Sequence, residues 1–172
     1  ADVAVDVTVR RGDQSRTFTA KGHGTNVFQV VSRENWEIAL ERAGFAALLD
    51  DWPMRVRRHA LWADLAELEC PSPAALSIPS LNDFASCWGV AYVLEGSRLG
   101  GRVLARRVRQ ANQTVPIRYL EHGEVARLWP AFLARLEQHA ASYAWEPMLL
   151  AAEQTFALFA EAAALEHDCE YG

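Results

Sequence analysis

The chain has 172 residues, of which 51% are hydrophobic and 23% charged; this is the composition of a globular protein, and the length fits one domain spanning residues 1–172. Its formal net charge of −5 argues against a nucleic-acid binder, because neutralising phosphates requires a surplus of basic side chains. No apolar run reaches the roughly 18 residues that a transmembrane helix needs, so the sequence predicts no membrane partner.

The first thirty residues differ from the rest of the chain and are predicted to form a short β-hairpin. Apolar and polar residues alternate over Val3–Val9, Gly12 and Asp13 supply a turn, and 15–20 reads as a second strand. Two strands alone are only marginally stable in water. The first strand therefore offers an edge for self-association or for a protein partner.

From residue 32 to 165 the apolar residues recur at helical spacing, which predicts a mainly α-helical core behind the atypical segment 1–30. Prolines mark 70–80 as a loop, and Val115-Pro116 as an interruption. The predicted elements are, in chain order, a helix from 36 that ends at Gly44, a short helix 45–50, a helix over Met54–Leu68 with Pro53 in its first turn, the central helix 81–109, a turn at 119–122, and helices over 123–141 and 146–164.

The three cysteines are widely scattered and show neither a disulfide framework nor the spacing of a zinc site. They are Cys70, Cys87 and Cys169. This usage favours a reducing compartment, so we expect a cytoplasmic protein.

The central helix carries an unusual face. Five residues recur every fourth position along it: Phe84, Trp88, Tyr92, Gly96 and Gly100. Each glycine inside a helix costs roughly 1 kcal/mol relative to alanine, so these two and Gly101 cost about 3 kcal/mol together. Three explanations remain open: close approach of a neighbouring helix, a kink at Gly96-Ser97, or admission of a flat ligand against the backbone.

The segment 92–106 resembles the distal helix of bacterial haem oxygenases, the biliverdin-producing kind often found beside phytochromes. It reads Tyr-Val-Leu-Glu-Gly-Ser-Arg-Leu-Gly-Gly-Arg-Val-Leu-Ala-Arg. The likeness covers roughly residues 36–165 and includes five flanking motifs: Gly44-Phe45, Asp51-Trp52-Pro53, Ala63-Asp64-Leu65, Tyr119-Leu120-Glu121-His122-Gly123 and Trp129-Pro130-Ala131-Phe132-Leu133.

The resemblance implies a haem-oxygenase-like helical bundle in which haem lies between a proximal helix and a kinked, glycine-rich distal helix. Gly96, Gly100 and Gly101 would form the distal wall, with Tyr92 among the haem contacts. Ser97 stands where many members carry an aspartate that orders water, so proton delivery is expected to be arranged differently here.

The implied reaction is the oxygen-dependent cleavage of haem, substrate and cofactor at once, to biliverdin, carbon monoxide and iron. A separate donor protein of the ferredoxin or reductase type would supply the electrons. The sequence itself offers no flavin or nicotinamide site, because its glycine cluster lies inside a helix rather than after a strand.

Haem iron usually takes a proximal histidine. The family's Thr-x-x-x-His pattern is matched by Thr19 and His23, although His23 lies between two glycines directly after strand-like residues, where a turn histidine is the alternative. The remaining histidines show no placement opposite the glycine face; His59 is expected on a solvated face, His122 in a turn, His139 among polar residues and His167 in the tail.

Haem propionates require cationic partners. Arg98, Arg102 and Arg106 recur every four residues and are the candidates; a solvated basic stripe is the alternative. The final helix 146–164 contains no Lys or Arg, although this helix often supplies propionate contacts in the family.

Two functional hypotheses follow. The first is a haem oxygenase. The second is a non-catalytic module with the same fold that acts through a protein partner, supported by the atypical N-terminal segment, or that binds a tetrapyrrole without turnover.

Overall fold

The computed structural model describes the backbone of residues 3–11, 14–22, 36–69 and 76–165, and side chains within 36–69 and 76–162. Its N-terminal part contains two antiparallel strands, β1 (Val3–Arg11) and β2 (Gln14–Gly22), in a register that pairs Val7 with Phe18. The expected turn at Gly12 and Asp13 lies outside the described residues.

The described chain from residue 36 onward is helical apart from its connections, which confirms the predicted mainly α-helical class. A short 3₁₀ turn, Phe45–Leu48, separates the first two helices. The helices are α1 (36–42), α2 (Trp52–Arg55), α3 (Arg58–Glu67), α4 (Phe84–Ala111), α5 (Arg118–Glu121), α6 (Val125–Ala140) and α7 (Trp145–Leu165).

The segment after α1 contains one confirmed boundary and one correction. Gly44 has a φ of 76° and ends α1 as predicted, because glycine adopts this left-handed conformation without strain. The single helix predicted over Met54–Leu68 is wrong, since α2 ends at an extended Val56 and α3 starts anew. The reason is a tertiary contact: the buried carboxylate of Glu37 accepts the backbone N–H groups of Arg57 at 2.9 Å and Arg58 at 3.1 Å, satisfying the start of α3.

The central helix α4 begins three residues later than predicted, because Asp83 caps it. The Asp83 carboxylate accepts the backbone N–H of Ser86 at 2.8 Å, which satisfies one of the free donors of the first turn. The helix then continues unbroken through Gly96-Ser97 to Ala111. The predicted kink there stays a prediction.

Helix α4 is the centre of the packing and contacts α5, α6 and α7. Its first half lies in the main core, where Trp88 meets Phe45 edge to face at 4.8 Å and Phe132 at 5.7 Å between ring centroids. Its second half packs on a smaller cluster that includes Leu61 and Tyr119. A long helix held at both ends in this way is a rigid base for a site on its remaining face.

No helix in the described part of the chain is both long and apolar enough to cross a membrane. Within the same residues, no three His, Cys, Asp or Glu side chains converge as they would around a bound metal ion.

Candidate functional site

Two glycines of α4 are packing glycines, the name used below for Gly89 and Gly101. A Cβ at Gly89 would collide with the carbonyl oxygen of Met148 in α7. A Cβ at Gly101 would lie 3.1 Å from the carbonyl oxygen of Leu120 in α5. Both positions lack a side chain because a neighbouring backbone occupies the space.

The other two glycines of α4, Gly96 and Gly100, are open glycines. A Cβ at Gly96 would meet only the edge of the Trp129 ring, at an ordinary contact distance of 3.6 Å. A Cβ at Gly100 would meet no described atom within 4 Å. Packing against the described protein therefore explains neither glycine, although each lowers helix stability relative to alanine.

The open glycines belong to an apolar surface that we call the open strip: Gly96, Leu99, Gly100 and Val103. Leu99 is 47% exposed and Val103 49% exposed, which is high for two apolar side chains on one turn of a helix. The strip is closed at the Gly96 end by Trp129 of α6. It forms a shallow apolar surface about two helical turns long.

Beyond Val103 the helix becomes basic. Arg106 and Arg107 are exposed, and no ion pair joins either of them to another residue in the described ranges. The second half of α4 therefore presents an apolar strip followed by two positive charges.

The opposite side of α4 holds what we call the buried charge cluster: Glu95, Arg98 and Arg55, which are buried, with the half-buried Asp51 at its edge. Glu95 Oε2 accepts from Arg55 Nη1 at 2.7 Å and from Arg98 Nε at 2.8 Å, and Asp51 binds Arg55 through both of its oxygens, at 2.6 and 2.7 Å. Burial alone would raise the pKa of Asp51, but the hydrogen bonds and charge of Arg55 more than offset it and lower this pKa. Asp51 is thus ionised, and the four side chains satisfy one another's hydrogen bonds.

The buried charge cluster also fixes the start of α6. Arg55 Nη1 donates to the carbonyl oxygen of Leu128 at 3.0 Å, and Arg98 Nη1 donates to that of His122 at 3.2 Å. These bonds hold the turn before α6, and the residue that precedes Trp129, against α4. The cluster therefore determines where Trp129 stands beside Gly96.

Ser97 turns away from the open strip, toward α3. Its Oγ donates to the Leu94 carbonyl oxygen at 2.7 Å and accepts from Arg57 Nη2 at 2.5 Å. The guanidinium of buried Arg57 lies 4.6 Å from the centroid of the Tyr119 ring, a cation–π contact. A serine hydroxyl held by a buried arginine thus occupies the position at which the resemblance implies an aspartate.

The three arginines predicted to bind propionates occupy different environments. Arg98 is 1% exposed and directs its guanidinium to Glu95, the Arg55 carbonyl and His122, so a solvated stripe that includes Arg98 is wrong. Arg102 donates to the Gly123 carbonyl oxygen, and Arg106 is exposed. The propionate role of all three stays a prediction.

Two predicted or weighed histidines, His23 and His167, lie outside the described residues, so the proximal ligand stays a prediction. The described histidines are on three different elements: exposed on α3 as expected (His59), at the end of α5 (His122), and on α6 (His139). His139, expected among polar residues, also stacks its ring on Trp88, with 5.3 Å between the ring centroids.

Burial raises the pKa of two further groups near the site. It raises the pKa of Tyr92, whose ring lies 5.5 Å from that of Trp129, so the Tyr92 hydroxyl is protonated at neutral pH. It also raises the pKa of the Cys87 thiol to about 11, which makes this cysteine a poor nucleophile. Neither group acts as an anion here.

Several residues that shape this region were missed by the sequence reasoning: Gly89, Arg57, Glu95 and Trp129. Glu95 had a usable signal, because it stands three residues before Arg98 on the same helix and can pair with it. The contacts of Arg57 and Trp129 join residues far apart in the chain, so no local pattern indicates them.

Fold and site together define a helical protein whose central helix offers a rigid, apolar, glycine-bearing surface suited to a flat ligand. No family model matches the sequence, and no solved structure matches it. A curated protein named heme oxygenase, from Xanthomonas campestris pv. campestris (strain 8004), is 39% identical over 130 residues, which cover 69% of this chain and 77% of that protein. The chain therefore belongs to the haem oxygenase family.

Proposed function

We propose that this protein binds haem on the open strip and cleaves it with dioxygen to biliverdin, carbon monoxide and iron. The observation that carries the proposal is Gly100: no described atom occupies the space where its side chain would be, it lies between two exposed apolar residues, and the chain belongs to the haem oxygenase family. When bound, haem supplies the iron that activates dioxygen and is itself the molecule that is opened.

The residues of the open strip fit a tetrapyrrole. Two positions without side chains, one helical turn apart, allow a flat ring to approach the α4 backbone closely. Leu99 and Val103 add apolar contact area that water otherwise covers. Close backbone approach also leaves room for only a small molecule between the helix and the ring.

The arginines at the end of the open strip would suit the propionates of a haem bound on it. Arg106 and Arg107 lie beyond the strip, where they can pair with propionates. Arg102 already donates to the Gly123 carbonyl oxygen, and Arg98 is committed to the buried charge cluster. We therefore assign the propionate contacts first to Arg106, with Arg102 able to contribute from its remaining donors.

Arg57 and Ser97 would organise polar groups on the side of α4 that faces α3. The guanidinium of Arg57 holds the Ser97 hydroxyl, so the serine donates to the Leu94 carbonyl oxygen rather than rotating freely. This hydroxyl has a fixed direction and points away from the open strip, so any water that it positions would lie on the α3 side of α4. The proximal ligand would be His23, and the electrons would come from a separate donor protein of the ferredoxin or reductase type.

Haemin titration of the purified protein tests the proposal. We expect a sharp Soret band that saturates at one haemin per chain, and a green product after addition of reductant and air. Binding without the green product would support a tetrapyrrole-binding module, whereas an unchanged spectrum and unchanged melting temperature would contradict haem binding altogether.

The His23→Ala variant is a separate test of the proximal ligand. We expect the variant to keep its helical circular dichroism and to lose the sharp Soret band. A retained band would remove His23 from the site, and the role of the open strip would be unaffected.

A further inference from the structure

Trp129 is the one side chain in the described structure that a Cβ on either open glycine would contact. Its outer six-membered ring faces Gly96, with Cη2 at 3.6 Å and Cζ3 at 3.8 Å from the position of that Cβ. One turn earlier, the Tyr92 ring packs against the same indole at 5.5 Å. One turn later, no described atom lies within 4 Å of the position that a Cβ on Gly100 would take.

Trp129 is also held in place from behind. Its ring stacks on Phe132 at 6.0 Å with an interplanar angle of 18°. The preceding residue, Leu128, is fixed through its carbonyl oxygen by buried Arg55. An indole that is only half-buried but supported by a stacked ring and an anchored backbone is a rigid wall rather than a mobile surface group.

We propose that Trp129 is a haem-binding residue that stops the tetrapyrrole at the Gly96 end of the open strip and so determines which edge of the ring lies over Gly100. This proposal rests on the proposed haem oxygenase function. A ring lying on Gly100 cannot move further toward Gly96 and Tyr92, because the indole edge already fills that side. It is bounded on the other side by Arg106 and Arg107, which attract the propionates.

The position of the ring along α4 matters for the product. The four bridging carbons of haem are chemically similar, so a protein selects one by presenting it to the bound oxygen. A wall at one end and positive charges at the other fix the ring in its own plane. Trp129 would therefore be a specificity-determining residue for the biliverdin isomer.

Three variants test this role: Trp129→Phe, Trp129→Ala and, as a matched control, Trp62→Phe. Phenylalanine at 129 keeps a ring to stack on Phe132 but lacks the outer ring that reaches Gly96. Trp62 lies on α3 and is 37% exposed, so it reports the effect of changing a tryptophan away from the strip. The measurements are the haemin dissociation constant from Soret titration, the melting temperature without haemin, and the biliverdin isomer ratio.

We expect Trp129→Phe to melt close to the unaltered protein, to bind haemin roughly threefold to tenfold more weakly, and to give a mixture of biliverdin isomers. Trp129→Ala should weaken binding further, and Trp62→Phe should change neither affinity nor isomer ratio. The proposal is overturned if Trp129→Phe retains both the original affinity and the original isomer ratio, and this variant decides the matter even if Trp129→Ala fails to fold. Failure of the unaltered protein to bind haemin would instead contradict the proposed function.

Discussion

The two sides of α4 differ in what lies against their glycines. On the packed side, Gly89 and Gly101 lie against neighbouring backbones, and Glu95 joins two buried arginines. On the open side, Gly96 and Gly100 carry the same cost in helix stability, yet among the described residues only the edge of Trp129 lies near Gly96 and nothing lies near Gly100. A glycine in a helix therefore indicates a ligand only where the folded chain leaves the space beside it empty.

Removing Glu95 should produce the largest effect on the packed side. Glu95→Ala leaves Arg55 and Arg98 buried without their shared carboxylate, and we expect the free energy of unfolding to fall by about 4 kcal/mol. Urea denaturation measures this loss. Glu137→Ala, an exposed carboxylate on α6, is the control and should change stability by less than about 0.5 kcal/mol. Equal effects of the two variants would show that the cluster does not hold α4.

Gly89→Ala should come next. The added methyl group collides with the Met148 carbonyl oxygen, so α4 and α7 must separate, at a cost of about 3 kcal/mol. The denaturation midpoint should fall accordingly, while the haemin affinity of the protein that remains folded should be unchanged. A midpoint equal to that of the unaltered protein would contradict the close approach of the two helices.

Lowering the pH should have a smaller effect on the free energy of unfolding, because it protonates Asp51. Because its pKa is lowered in the folded protein, Asp51 contributes stability that is complete above its unfolded pKa of 3.8 and is lost as the pH falls toward the folded value. The difference in unfolding free energy between the unaltered protein and Asp51→Asn should therefore shrink between about pH 6 and about pH 3. A difference that stays constant over this range would mean that Arg55 does not stabilise the ionised carboxyl.

The helical class and the central helix could be predicted from periodicity, and the cost of its glycines from helix propensity alone. Sequence could not separate Gly100 from Gly101, because the distinction depends on where Leu120 of α5 lies. Nor could it show the break at Val56, which depends on Glu37 from another helix. Spacing leaves Arg98 as either a propionate ligand or part of a solvated stripe, and neither reading indicates the burial that its partner Glu95 makes possible.

If haem occupies the space beside Gly100, a side chain at that position should interfere with haem binding. Gly100→Ala tests this, and Gly101→Ala, one residue further on, is its control. Alanine at 100 meets nothing in the described part of the chain, so we expect a protein about 0.5 to 1 kcal/mol more stable without haemin that nonetheless binds haemin more weakly. Gly101→Ala should do the reverse: it should lower stability, because its Cβ lies 3.1 Å from the Leu120 carbonyl oxygen, and leave haemin affinity nearly unchanged. A Gly100→Ala protein that binds haemin as tightly as the unaltered protein would contradict the account.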